Sequence, residues 1–300
     1  MNELTSKLYN ISVCIATYNG ANFIEKQLVS IFNQTLKPYE IIICDDCSTD
    51  NTIKIIEKYS DKNIKLYKNN SQLGVIKNFE KAISICKGDY IALSDQDDIW
   101  NKNKLQIQMS EIINEEIKKG KDFPILCVHD LSLIFENNTL IEESLWEKLG
   151  NNPWIPNNNI LFTNKYYGCT MLFNKALKDA ILPFPTTLPM HDHWIALNAY
   201  VLGEIVTIKK PLIYYRRHNA NITSLVNKEN IFRRLFHYFR NIKGSDYKQK
   251  EILQAYELLK KHPNLISKQK LDEMKTIIKM SKYNNLIRKL YFSYKYRFSK

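Results

Sequence analysis

The first hundred residues alternate short apolar runs with stretches of helical periodicity, and this alternation limits the fold more than any other feature. "ISVCIA" (11–16), "YEIIIC" (39–44), "IKLYK" (64–68) and "DYIALS" (89–94) read as strands. Between them, "ANFIEKQLVSIFNQ" (21–34) carries Phe23, Ile24, Leu28, Ile31 and Phe32 near helical spacing. "STDNTIKIIEKYS" opens on cap-type residues, and "VIKNFEKAISICKG" ends on Gly88, read as a C-cap. Strand–helix–strand repetition predicts a mostly parallel sheet with right-handed crossovers.

In such a sheet ligands bind at the carboxyl ends of the strands. The residues there are polar or acidic: Thr17-Tyr18-Asn19 after the first strand, Asp45-Asp46-Cys47-Ser48 after the second, Asp95-Gln96-Asp97-Asp98 after the fourth. The last group crowds three carboxylates into four positions. One Asp is an ordinary turn residue. Three repel one another and raise one another's pKa, a penalty that a bound divalent cation reverses. A solvated turn and a metal site are the two readings.

The chain has no GxGxxG after the first strand and no GxxxxGK[ST]. A diphosphate bound here needs its charge met by other means, and a cation held at 95–98 would meet it. The Asp45-Asp46 pair suits hydrogen bonding to a base or ribose, or else an acid at a helix N-terminus.

Further along, "NKNKLQIQMSEIINEEIKKG" (101–120) reads as an amphipathic surface helix and "PILCVHDLSLIFENN" as one strand or a pair. "NNPWIPNNN" (151–159) lacks periodicity and reads as a loop. "YYGCTMLFNKALKDAIL" passes through Gly168 and Cys169 into a strand and a helix. In "LPMHDHWIALNAYVLG", Asp192 either caps a helix or, beside Trp194, serves as a general base facing a pocket. His191 and His193 stand at i and i+2, which do not share a helical face, so they make a poor metal pair. Arg216-Arg217-His218 is a solvated run or, near a diphosphate, a set of charge-assisted donors.

Composition adds limits. Three hundred residues, 44% of them apolar, suffice for a packed core in one large or two modest domains. No apolar run approaches the roughly 18 residues of a membrane span. The N-terminus, "MNELTSKLYNISVC", has an early acid and no long apolar core, which predicts no signal peptide and a cytosolic chain. The six cysteines suggest no disulfide framework; Cys44 and Cys47 form a CxxC, but no second ligand pair has zinc-site spacing.

The net charge of +12 lies in the tail. Lys228 to Lys300 holds 19 Lys and Arg against 6 Asp and Glu, and the preceding residues are almost neutral. "IFRRLFHYFRNIK" (231–243) and "LIRKLYFSYKYRFSK" (286–300) mix aromatics with bases. Such helices lie on anionic membranes, pack on their own domain, or bind nucleic acid; the first two readings are favoured over the third.

"ISVCIATYNGANFIEKQLVSIFNQT", "EIIICDDCSTDNT" and "GDYIALSDQDDIW" together resemble the nucleotide-binding half of family 2 glycosyltransferases with the GT-A fold, over residues 10 to 225. "YGCTMLFNKAL", "MHDHWIALNAY" and "YYRRHNANIT" resemble the bacterial rhamnosyltransferase-like branch. The resemblance implies an α/β GT-A domain, Rossmann-like and mostly parallel, over 1–225, and a basic aromatic helical region over 226–300.

It also implies inverting, metal-dependent transfer from a nucleoside-diphosphate sugar, dTDP- or UDP-linked, to a hydroxyl of a glycan acceptor. The acceptor is expected to be lipid-linked and to serve surface polysaccharide synthesis. By matching position, Thr17, Tyr18, Asn19, Asp45, Asp46, Lys77 and Asp95 would hold the nucleotide. Asp97, Asp98 and His218 would hold Mn2+ or Mg2+, with Asp97 foremost. Gly168, Cys169, Trp194, Arg216 and Arg217 would lie near the diphosphate or acceptor, and Asp192 would be the catalytic base. Lys77 stands where the family often has Arg, keeping charge but losing the fork. His191 stands where many members carry an acid. The expected place of action is the inner face of the cell membrane, by peripheral contact, with no nucleic acid partner. The rivals are a phosphotransfer or nucleotidyl enzyme on the same acidic edge, a receiver-type switch domain, and a non-catalytic sugar-nucleotide-binding scaffold.

Overall fold

A computed structural model describes residues 9–149, 160, 164, 166–218 and separate positions from 257 to 275. The chain divides into two compact units, Met1–Phe184 with Met190–Asn227, and Pro185–Pro189 with Lys228–Lys300. The predicted loop at 151–159 and the predicted helices at 231–243 and 286–300 lie outside the described residues.

The first unit opens with β1 (Ile11–Thr17), α1 (Ile24–Phe32), β2 (Glu40–Asp45), α2 (Thr52–Glu57), β3 (Ile64–Lys68), α3 (Gly74–Ile85) and β4 (Tyr90–Ser94). β1 pairs in parallel with β2 and β4, and β2 with β3. This is the predicted parallel block, in the order β3-β2-β1-β4. β2 and β4 are buried along their whole length, whereas edge strand β3 has no buried residue. Gly88 is not the C-cap as expected, since α3 ends at Ile85 with Cys86 as its C-cap. Gly88 instead answers a close approach: a Cβ there would lie 2.5 Å from the Asn10 carbonyl oxygen.

The other half of the sheet is mixed. β5 (Ile99–Trp100), α4 (Lys104–Lys119), β6 (Ile125–Phe135), β7 (Leu140–Glu142) and α5 (Leu145–Leu149) lead to β8 (Leu172–Asn174), α6 (Lys175–Ile181), α7 (His191–Leu202) and β9 (Glu204–Arg217). β8 is antiparallel to both β4 and β6, β9 is parallel to β6, and β5 is antiparallel to β9. The path runs β3-β2-β1-β4-β8-β6-β9-β5, with β7 beside β6. "PILCVHDLSLIFENN" is thus one long strand, turning at Asn138 (φ 69°) into the short β7.

One connection explains why the acidic turn matters. β5 begins five residues after β4 ends, yet stands four places along the sheet. Four strand spacings of a flat sheet amount to about 19 Å, and five residues reach at most about 18 Å. The sheet must curl to close that distance, and residues 95–98 bridge the gap. The sequence therefore places its three carboxylates on the strip that spans the carboxyl edge.

α4 buries Leu105, Met109 and Ile112 at helical spacing, as the amphipathic pattern predicts. Lys104 and Gln108 share the buried face, which the pattern does not predict. Among the described residues no helix is long and apolar enough to cross a membrane.

Candidate active site

The end of β1 is held by the end of β2. Asp45 accepts from the Thr17 hydroxyl at 3.0 Å, from the Ser48 hydroxyl at 2.5 Å and from the Ser48 N–H at 2.9 Å. Asn19 adopts a left-handed backbone (φ 47°); its side chain accepts from Thr49 N, and its own N–H donates to the Ser48 hydroxyl. Tyr18 is 46% exposed above this floor. The Gln96 side chain brackets the Tyr18 backbone, accepting from Tyr18 N at 2.9 Å and donating to Tyr18 O at 3.0 Å. The first loop and the acidic turn are therefore tied together. Gly20 permits the tie, since a Cβ there would fall 2.3 Å from Gln96 Oε1.

Asp46 is a helix-capping acid, but for α3, two elements on. Its oxygens accept from Leu73 N at 2.7 Å, Gly74 N at 2.8 Å and the Asn69 amide at 2.8 Å. A carboxylate has about four lone-pair sites, so one acceptor position remains. Lys77, one turn into α3, pairs with Glu80 at 2.6 Å and lines a cleft of about 450 Å³ with Leu73, Lys81 and Leu182. Cys47 takes a left-handed backbone (φ 65°), its thiol facing the Asn69 carbonyl at 3.3 Å. It is a turn residue, and all six cysteines are free.

The acidic turn divides its carboxylates between two neighbours. Asp97 Oδ2 lies 2.7 Å from His218 Nε2, just past the end of β9. Asp98 turns inward, fully buried, where Oδ1 accepts from Arg216 N at 3.2 Å. Asp95, Asp98 and Cys169 bring one potential ligand atom each within 4.8 Å of one another. The sequence grouped Asp97, Asp98 and His218 as metal ligands and set Asp95 apart with the nucleotide. The geometry instead joins Asp97 to His218, and Asp95 to Asp98 and Cys169.

Burial pushes Asp95 up to about 7, with the Asp97 and Asp192 charges adding to the effect. Burial likewise holds Asp98 well above the usual carboxylate range, helped by Asp97 and Asp95. Burial also raises Cys169, so its thiol stays protonated at neutral pH and acts as a donor to the carboxylates rather than as a thiolate ligand.

Asp192 stands in the first turn of α7, where Met190 is the N-cap. Its Oδ1 accepts from His193 N at 2.7 Å. Burial pushes its pKa up to about 7, against the lowering pull of hydrogen bonds from the His193 and Gly168 backbones and the Asn164 side chain. Its charge is felt at Asp95, which places Asp192 beside the acidic turn. Gly168 begins a short 3₁₀ turn, Gly168–Thr170, whose next residue is Cys169. A Cβ on Gly168 would lie 2.9 Å from His191 Nε2 and 3.6 Å from Asp192 Cβ. The glycine thus lets the turn pass against α7 and links the two carboxylate groups.

Two expected ligand-facing residues belong to the framework. Trp194 is fully buried and donates its indole N–H to the Ile181 carbonyl at 3.0 Å, so it packs into the core and does not face an acceptor. Arg216 is fully buried as well. Its guanidinium donates to the carbonyls of Asp97 and Glu136, at 2.8 and 2.9 Å, and to Asn138 Oδ1 at 2.7 Å. It braces the acidic turn against the β6–β7 hairpin, a role that corrects the expectation of an open diphosphate grip. Arg217 is partly exposed. The poor metal pairing of His191 and His193 is seen directly: His193 Nε2 lies 2.6 Å from the Ile160 carbonyl, while His191 stacks on Phe79 at 4.1 Å.

Lys104 was missed. It is fully buried, 4.0 Å over the Trp100 ring, and donates to Gln108 Oε1 at 2.9 Å. Gln108 in turn donates to the Cys127 and Thr170 carbonyls. Burial lowers Lys104 to about 7, while Cys169, Cys127 and Asp98 pull the other way, which places a basic group behind the acidic cluster. The one hint in the sequence was its position, on the α4 face that also holds Leu105 and Ile112.

The fold is that of GT-A glycosyltransferases. The structure of S. aureus TarS 1–349 in complex with UDP-GlcNAc matches with a TM-score of 0.56 at 21% identity, over 88% of this chain and 78% of that one. The mannosyltransferase PcManGT from Pyrobaculum calidifontis, in complex with GDP-Man and Mn2+, matches with a TM-score of 0.56 at 16% identity, over 83% of this chain and 64% of that one.

Residues 12–118 match the glycosyl transferase family 2 model, and the chain belongs to this family. An Escherichia coli UDP-Glc:alpha-D-GlcNAc-diphosphoundecaprenol beta-1,3-glucosyltransferase is 35% identical over 109 residues, which are 36% of this chain and 43% of that protein. The hyaluronan synthase of Pasteurella multocida is 28% identical over 244 residues, 74% of this chain and 23% of that protein. The chain thus spans less than half the length of either relative.

Proposed function

We propose that the chain transfers a hexose or rhamnose from a nucleoside-diphosphate sugar to a hydroxyl of a glycan acceptor, with inversion and with a divalent cation, in polysaccharide synthesis. The observation that carries this is the meeting of Asp97 and His218 at the carboxyl edge, 2.7 Å apart. A carboxylate oxygen and an imidazole nitrogen are both electron-pair donors. At this distance they share a proton, which a divalent cation taking both atoms as ligands would displace, and the carboxylate oxygen is the donor that suits Mn2+ or Mg2+. The residues therefore fit the ion. Asp97 and His218 would hold it, with Asp98 behind them, and the protonated thiol of Cys169 would not bind so hard a cation. When bound, such an ion offsets negative charge on a diphosphate leaving group.

The chain's own groups supply the rest. Thr17, Asn19, Asp45 and the Gln96 tie shape the floor on which a base and ribose rest. The remaining acceptor site of Asp46 is available to a base N–H, and Lys77 lines the adjoining cleft. Asp192 takes the proton of the acceptor hydroxyl as that oxygen bonds to the anomeric carbon and the diphosphate departs from the opposite face. Its pKa of about 7 suits a base at neutral pH. UDP is the favoured nucleotide, because the names of the glucosyltransferase relative and of the TarS complex both carry it.

The relative acting on a diphosphoundecaprenol-linked sugar supports a lipid-linked acceptor, and the basic aromatic region at 226–300 supports contact with an anionic membrane. Loss of sedimentation with anionic vesicles at about 0.15 M salt would remove the membrane contact from this reading. The enzymatic test is incubation with UDP-glucose, UDP-N-acetylglucosamine, GDP-mannose and dTDP-rhamnose, with Mn2+ and without acceptor. Slow hydrolysis of one donor is expected. Hydrolysis of none, together with no binding of any nucleotide, contradicts the reading.

A further inference from the structure

His191 is built into the site in a way that packing alone does not explain. It directly precedes Asp192, and its ring is 5% exposed. One face stacks on Phe79 with centroids 4.1 Å apart and planes 19° apart. Nε2 packs against Gly168, where a Cβ would come within 2.9 Å. Neither ring nitrogen has a hydrogen-bond partner among the described residues. The other buried histidines, His129 and His193, each place one nitrogen 2.6 Å from a backbone carbonyl. Buried polar atoms without partners are rare and costly, and a phenyl ring would fill this space without that cost.

Resting on the transferase reading above, we propose that His191 is a specificity-determining residue, one of whose ring nitrogens bonds a hydroxyl of the sugar brought to Asp192. Burial holds the imidazole near 3, so it is neutral under working conditions. A neutral imidazole has an N–H at one nitrogen and a lone pair at the other, so either nitrogen can pair with a hydroxyl, which both accepts and donates. It has no charge to offer a phosphate. The hydroxyl belongs either to the donor sugar or to the acceptor, and both are drawn to Asp192. A site that hydrogen-bonds a hydroxyl rejects analogues lacking it, because its own polar atoms are then left bare.

The test compares wild type, His191→Phe and His191→Gln with the donor that wild type hydrolyses fastest. Donor hydrolysis, transfer to N-acetylglucosamine diphosphate on a short alkyl chain, and melting temperature are followed together. His191→Phe is expected to keep or raise the melting temperature, since it removes two bare polar atoms, while losing about 10- to 100-fold in rate. Loss in both hydrolysis and transfer assigns the hydroxyl to the donor, and loss in transfer alone assigns it to the acceptor. His191→Gln, which restores a donor and an acceptor, is expected to recover part of the loss. Full activity of His191→Phe, or a fall in melting temperature matching its fall in rate, overturns the proposal. A wild-type protein that neither hydrolyses nor binds any donor contradicts the transferase reading itself; a lowered melting temperature for His191→Phe would still tell against His191.

Discussion

His218 and Asp97 meet at 2.7 Å across 121 residues of sequence, joining the end of β9 to the turn that follows β4. Both side chains are largely buried, so the pair is a fixed feature of the edge. If it holds a cation, replacing either member should weaken the ion and spare the fold. Asp97→Asn and His218→Gln are each expected to lower kcat/KM at least about 100-fold, with little change in melting temperature. Steady-state rates measured across a Mn2+ titration check this.

As the proposed base, Asp192 can act only when ionised. With its pKa near 7, kcat should fall as pH drops through about 7 and level off above it. Asp192→Asn should lose about 10²–10⁴-fold in kcat and retain nucleotide binding. A pH–rate profile and a nucleotide titration of the variant check both parts.

The same group makes a stability prediction of definite sign. The folded pKa of Asp192 is raised above the unfolded value, so its contribution to stability falls as pH rises from about 4 to about 7. Above that range the full cost of a buried charge is present. Asp192→Asn should therefore raise the melting temperature at pH 8 and change it little at pH 4.5. Thermal melts of the ion-free protein at the two pH values decide the matter.

Gly20 and Gln96 should behave as one unit. Gly20→Ala pushes the Gln96 amide away from Tyr18 and removes two hydrogen bonds, at a cost of about 1–3 kcal/mol. Gln96→Ala removes the same bonds. The double variant should be no worse than the more damaging single variant, and nucleotide affinity should fall in all three. Denaturant titrations of the four proteins give the coupling.

The parallel block was legible because local pattern alone specifies it. Ile11–Thr17 and Glu40–Asp45 are nearly continuous apolar runs that must be buried on both faces. Their polar ends mark the edge on which the candidate site is built. The mixed half was not legible, because the pairing of β6 with β9 depends on contacts far apart in sequence. Arg216 and Lys104 were misread or missed for the same reason. A charged side chain is read from sequence as solvated, and only the fold shows that carbonyls at 97 and 136 or an aromatic ring at Trp100 surround it. Cys169 carried no local signal for its place beside Asp95 and Asp98.

The central claim is that the acidic turn and His218 grip a cation that holds a nucleoside diphosphate. Calorimetric titration of UDP into the protein, with Mn2+ and again with EDTA, tests it most directly. The account predicts binding with Mn2+ that EDTA or Asp97→Asn weakens at least about 10-fold. Equal affinity for UDP with Mn2+, with EDTA and in Asp97→Asn would contradict it.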